Sequence, residues 1–232
     1  MIEKNKLLGY FSKFEYFLIT ISLALISTAF FVFDGQNYFA YALSILGAFA
    51  LILSAKGNAL GVAIMIVFSV CYAIISYFNR YYGETLTYAL MTLPMSIIAL
   101  ISWLKNPYKN KKAQVSINKI TKREVLLILA LMFIITIFSY PILRFFNTKN
   151  IVISTISIAT SFFAVSLTYK RSPFFALAYA LNDVVLMVLW FLATLENTSY
   201  VSILVCFVVF LINDLYGFYN WLRMRKQQLD NF

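Results

Sequence analysis

Two aspartates, Asp183 and Asp214, stand inside long apolar runs, and each follows an asparagine, Asn182 and Asn213. An ionised Asp at the centre of a membrane helix costs about 2.5 to 3.5 kcal/mol on insertion scales, so a carboxylate kept there needs a polar or wet surrounding and a purpose. At 100° per residue, Phe175, Tyr179 and Asn182 fall on one stripe of a helix, with Asp183 and Trp190 on its shoulder. On the next run Asn213, Gly217 and Asn220 form a second stripe, flanked by Asp214 and Trp221 on one side and Tyr216 on the other. Aromatic rings beside amide and carboxylate groups suit a compact ligand with a flat ring and a positive charge, because carboxylates balance a cation and ring faces attract one. A nucleoside or a vitamin has that form. A carboxylate also accepts bonds from sugar hydroxyls or carries a proton, and a lone Asn also serves to tie helices together.

Other chemistries lack their residues. There is no histidine, and Cys71 and Cys206 each sit alone in an apolar run, so neither a zinc site nor a Cys/His nucleophile is expected, and no cofactor. An intramembrane aspartyl protease would carry Gly-x-Gly-Asp; that motif, Gly-x-Ser-x-Gly and His-Glu-x-x-His are all absent. No catalytic residue is expected.

These side chains must be held by membrane helices. The chain has 232 residues, 62% hydrophobic and 12% charged, which leaves nothing for a separate soluble domain. Eight spans are predicted: Phe14 to Phe33, Tyr38 to Ala55, Ala59 to Phe78, Thr85 to Leu104, Val125 to Leu143, Ile151 to Tyr169, Pro173 to Leu195 and Ser199 to Leu222. Roughly 20 residues at 1.5 Å each cross the ~30 Å hydrocarbon layer. The expected fold is all-α and transmembrane, and the first run lacks the cleavage site of a removable signal.

An even number of spans puts both termini on one side. Of 19 basic residues, 16 fall there: Lys4, Lys6, Lys13, Lys56, Lys105, Lys109, Lys111, Lys112, Lys119, Lys122, Arg123, Lys170, Arg171, Arg223, Arg225 and Lys226. Arg80, Arg144 and Lys149 lie opposite. Basic residues are retained on the cytoplasmic face, so the termini and the loop 105–123 are expected there. The net charge of +10 is then mostly topology, and no nucleic-acid partner is inferred from it. Trp103, Trp221, Tyr81 and Tyr82 fall at span ends, where rings prefer the headgroup region.

Residues 38–104 and 151–222 repeat. Ser102-Trp103-Leu104-Lys105 answers Asn220-Trp221-Leu222-Arg223 at an offset of 118, and Lys56 answers Lys170 at 114. One span, 125–143, separates the two three-helix units, so they enter the membrane in the same direction, an arrangement common in transporters. A substrate site is expected between the units near mid-membrane. Asp183 and Asp214 answer Ser69 and Ser96, so only the second unit brings charge; Tyr72, Tyr88 and Thr92 are secondary candidates from the first.

The run from Ile212 to Trp221, followed by a basic end, resembles the closing helix of the PnuC family of bacterial nicotinamide riboside transporters. The resemblance extends over nearly the whole chain: the helix ending at Trp103, the basic loop, and a three-plus-one-plus-three arrangement shared with SWEET sugar transporters. Residues 14–33 would be an extra helix before that core. The resemblance implies facilitated diffusion of a dephosphorylated vitamin precursor across the bacterial inner membrane, trapping by a cytosolic kinase, and a homotrimer in the lipid bilayer. The family's two stacking tryptophans would fall on Phe175 and Ala178 ahead of Asn182, so one aromatic is kept and one is replaced. PnuC-like relatives for thiamine, riboflavin and deoxynucleosides supply the alternative cargoes, and a vitamin-binding subunit of an energised transporter is a further alternative.

Overall fold

The computed structural model describes residues 10–109 and 111–230. Lys4 and Lys6, counted above with the basic side, lie outside the described residues. Among the described residues eight helices are long and apolar enough to span: α1 Lys13–Asp34, α2 Tyr38–Ala55, α3 Ala59–Phe78, α4 Tyr82–Lys105, α5 Lys122–Phe145, α6 Ile151–Tyr169, α7 Phe174–Thr194 and α8 Val201–Asp230. The last runs well past the predicted Leu222. The loop 105–123 carries the departure from an all-α chain, a small antiparallel pairing of β1 Pro107–Tyr108 with β2 Lys111–Val115.

Several boundaries follow from local chemistry. Ser12 and Thr121 cap α1 and α5 through reciprocal bonds with Glu15 and Glu124, each three residues on. Asn37 and Asn58 accept backbone donors at the starts of α2 and α3. Pro94 has no N–H to offer the preceding turn of α4, and the helix widens to a π segment over Thr87–Thr92 just before it.

Six helices close a ring, each touching the next in the order α2, α3, α4, α6, α7, α8 and back to α2. Swapping α2, α3 and α4 for α6, α7 and α8 maps this ring onto itself. The seams between the two sets are α4 against α6 and α8 against α2. In lipid the apolar effect does little to join helices, so packing and interhelical hydrogen bonds must do so. At one seam Trp103 Nε1 donates to Thr168 O at 2.9 Å and Ser102 Oγ to Tyr169 O at 3.1 Å. At the other, Trp221 Nε1 donates to Ser54 O at 2.9 Å and Asn220 Nδ2 to Ala55 O at 2.9 Å. Donors stand 118 residues apart and acceptors 114, the two offsets that align the sequence.

The same relation reaches the two helices outside the ring. Lys56 Nζ pairs with Glu15 of α1 at 2.9 Å, and Lys170 Nζ pairs with Glu124 of α5 at 2.8 Å. The sequence reading leaves residues 14–33 as an extra helix; in the structure α1 stands to α2 as α5 stands to α6, each a flanking helix tied by one Glu–Lys pair. Only α1 also packs on α8, through Tyr216 OH donating to Glu15 at 2.8 Å and Asn213 Nδ2 to Ser22 at 3.3 Å. Gly217 permits the close crossing of α8, since a Cβ there would sit 3.4 Å from Ala176 and 3.5 Å from Ala55.

The basic loop fastens to the ring at repeat-related points. Val115 N donates to Gly57 O and Asn118 N to Arg171 O, two residues with left-handed backbone that end α2 and α6. Gln228 of α8 accepts from Ile117 N and donates to Val115 O.

Candidate functional site

Two apolar clusters fill the ring. One, toward the less basic end, holds Tyr72, Tyr88, Leu186, Trp190, Phe207 and Phe210 among others. The other, toward the basic end, holds Trp103, Phe162, Phe175, Trp221 and Met224. Between them lies a layer of buried polar residues from every ring helix but α2: Ser69, Thr92, Ser96, Ser161, Asn182, Asp183 and Asp214. A polar layer at mid-membrane depth is costly unless its groups are bonded, and two atoms in it lack partners: Thr92 Oγ1 and Asp183 Oδ2.

Asp183 and Asp214, 4% and 5% exposed, are both buried within this layer. Asn182 Oδ1 takes two hydroxyls from α6, Thr160 Oγ1 at 2.7 Å and Ser161 Oγ at 2.9 Å. Tyr179 lies one turn before Asp183 on α7, and Tyr88 one turn before Thr92 on α4. The structure thus gathers Tyr179, Asn182, Asp183 and Asp214 from the predicted set, with Tyr88 and Thr92 from the secondary one.

The other predicted residues stand elsewhere. Phe175 and Trp190 are fifteen residues apart on α7, about 22 Å along its axis, so the stripe read from the sequence is spread across the membrane. Phe175 packs edge-on to Trp221 with centroids 4.7 Å apart, and Trp221 and Trp103 approach to 5.3 Å. This cluster plugs the ring at its basic end. Trp190 Nε1 donates to Tyr72 OH at 2.8 Å, and its ring lies 4.9 Å from Tyr81 and 5.5 Å from Tyr200. That cluster plugs the opposite end, where Lys149 pairs with Glu196. Asn213, Tyr216 and Asn220 make the helix-to-helix bonds described above, because α8 turns that face to α1 and α2.

One expectation fails outright. Trp103, Trp221 and Tyr81 are not headgroup anchors: they are 2%, 0% and 0% exposed. Span-end position alone cannot tell a ring facing lipid from one facing the bundle axis, and here two indole donors find carbonyls inside. Burial pushes the Tyr81 phenol up to about 12, with the Glu196 charge and Tyr200 adding to it.

The sequence reading also missed a third carboxylate. Glu84 was left outside a span begun at Thr85, yet α4 starts at Tyr82 and Glu84 is fully buried. Its spacing to Tyr88, four residues on, is the signal that could have placed it on the same helix face.

Three comparisons bear on this architecture. The model of the nicotinamide mononucleotide transporter family matches residues 37–223. A curated relative, the nicotinamide riboside transporter PnuC of Neisseria mucosa, is 22% identical over 228 residues, covering 97% of this chain and 86% of its own length. The crystal structure of the vitamin B3 transporter PnuC has the same fold, with a TM-score of 0.83 at 22% identity over 97% of each chain. With the family model spanning the six ring helices and α5, this multi-pass membrane protein belongs to the nicotinamide mononucleotide transporter family, that of PnuC.

Proposed function

We propose that the protein carries a nucleoside-like vitamin, nicotinamide riboside or a close relative, across the bacterial inner membrane by facilitated diffusion. The observation that carries this reading is the buried polar layer, closed at each end by an aromatic plug. A solute held there is out of contact with both sides, and parting either plug while the other stays shut exposes it to one side at a time. The Asp183–Asp214 pair gives the layer a place for positive charge, and Tyr179 and Tyr88 give it ring faces.

The basic end faces the cytoplasm on the charge count, so cargo is trapped there by a cytosolic kinase, with no coupling ion. The chain works as a homotrimer. Thiamine, riboflavin and deoxynucleosides are the alternative cargoes, favoured by the placement of Phe175 and Ala178, both buried within the basic-end cluster rather than in the polar layer.

The test is uptake of labelled nicotinamide riboside into liposomes holding only the purified protein, with thiamine, riboflavin and deoxynucleosides as competitors. Saturable uptake blocked by unlabelled nicotinamide riboside supports the reading. Uptake blocked by another competitor moves the cargo to that compound. Binding without uptake would sink the carrier and favour a vitamin-capturing subunit.

A further inference from the structure

Helix α6 turns a file of small hydroxyl residues into the ring. Ser154, Ser157 and Ser161, three and four residues apart, are all buried. Facing them across the α4–α6 seam is Glu84. Ser157 Oγ donates to Glu84 Oε1 at 2.5 Å, while Oε2 has no partner. The backbones are close here: a Cβ on Gly83 would meet Ser154 Cβ at 2.8 Å. One turn deeper on α4, the Tyr88 ring lies 4.4 Å from Tyr72. One turn deeper on α6, Thr160 and Ser161 bond Asn182 of the polar layer. Polar residues therefore recur on successive turns of α6 from Glu84, near the less basic end, to the layer that holds Asp183 and Asp214.

A carboxylate offers about four lone-pair sites, and Glu84 has one filled. As a tie between helices it is a poor choice, since a serine or an amide would join α4 to α6 without burying a carboxyl group. The open oxygen gains its value when a solute brings a donor. The aromatic faces around it are already taken, Tyr72 by Tyr88 and Trp190, and Trp190 by Tyr81. What stays available is hydrogen-bond acceptance: the open carboxylate oxygen beside two serine oxygens whose own protons go to Lys149 O and to Glu84, a match for the donors of a sugar diol rather than for a flat cation.

We propose that Glu84, with Ser154 and Ser157, forms a subsite for the hydroxyl-bearing end of the carried solute, lying between the less basic end and the central layer. This inference rests on the proposed nucleoside cargo and assigns its sugar to Glu84 and its ring to the layer. A site made to bond a hydroxyl discriminates strongly against the analogue that lacks it.

The test compares uptake of a ribonucleoside and its 2′-deoxy and 3′-deoxy analogues by the full chain in liposomes, for wild type, Glu84→Gln, Glu84→Ala and Ser157→Ala. Wild type should show a KM about tenfold or more higher for at least one deoxy analogue. Glu84→Gln and Glu84→Ala should shrink that ratio below about threefold by weakening the ribonucleoside and leaving the deoxy analogue nearly unchanged. Ser157→Ala, which removes one hydroxyl of the subsite and keeps the carboxylate, should lower the ratio partway, and it guards against a Glu84 variant that fails to fold. An unchanged ratio in Glu84→Gln, with wild-type transport intact, overturns the subsite alone. So does a variant whose ratio is unchanged but whose uptake no longer moves protons into the lumen, which would make Glu84 a proton carrier. A wild type that carries no nucleoside at all fails the cargo reading first, and the subsite with it.

Discussion

Replacing Trp221 by Phe, and Trp103 by Phe, tests whether the two seams are equivalent. Each indole donates at 2.9 Å to a carbonyl that also accepts a backbone N–H: Ser54 O from Gly57 N, and Thr168 O from Arg171 N. Losing the indole bond therefore leaves neither carbonyl without a donor. The cost is that of one hydrogen bond, about 1 kcal/mol, plus about 1 to 2 kcal/mol for the smaller ring in a closed site. A total of about 2 to 3 kcal/mol lowers the midpoint of a chain this size by roughly 5–10 °C. The rings touch at 5.3 Å, and a contact of that kind is worth about 0.5 to 1.5 kcal/mol, so the double variant should lose about 1 kcal/mol less than the sum. Heating purified protein in detergent and measuring the monodisperse fraction gives the three midpoints. If one single variant falls by several degrees and the other stays at the wild-type value, the seams are not equivalent. Strict additivity would mean that the rings do not support one another.

Three more outcomes follow from named contacts. Glu15 receives Lys56 on both oxygens, Tyr216 OH and Ser12 N, and is 2% exposed, whereas Glu124 is partly open; Glu15→Gln should cost about 1 to 3 kcal/mol, discounted for the exposure of Lys56, and Glu124→Gln visibly less in the same heating assay. Gly217→Ala should be tolerated, since its Cβ makes ordinary contacts with Ala176 and Ala55, while Gly217→Leu should force α8 off α7 and α2 and abolish the monodisperse peak. Asp183→Asn should leave folded yield unchanged, because the amide fills the same volume and buries no charge, and should lower liposome uptake of a cationic ligand at least tenfold more than that of a neutral nucleoside. Equal loss for both ligands would assign Asp183 to packing.

Much was legible before any coordinates. The eight spans follow from run length against membrane thickness, and the two offsets reappear in the seam hydrogen bonds. Asp183 and Asp214 stood out because charge inside a span is rare. What the sequence could not assign was the partner of each polar side chain. Asn182 and Asn213 look alike in the chain, yet the first is held by α6 beside the carboxyl pair and the second is turned toward α1.

By itself, the sequence determined the apolar character, the eight long helices and the residue types within them, because hydropathy and periodicity are properties of the chain taken in order. Only the tertiary structure decided which faces meet. It put Trp103 and Trp221 inside the bundle, drew Glu84 into the seam with Ser157, and parted Phe175 from Trp190. The physical reason is that a helix shows every direction to its neighbours, and the direction that is buried depends on a ring closed by residues more than a hundred positions apart.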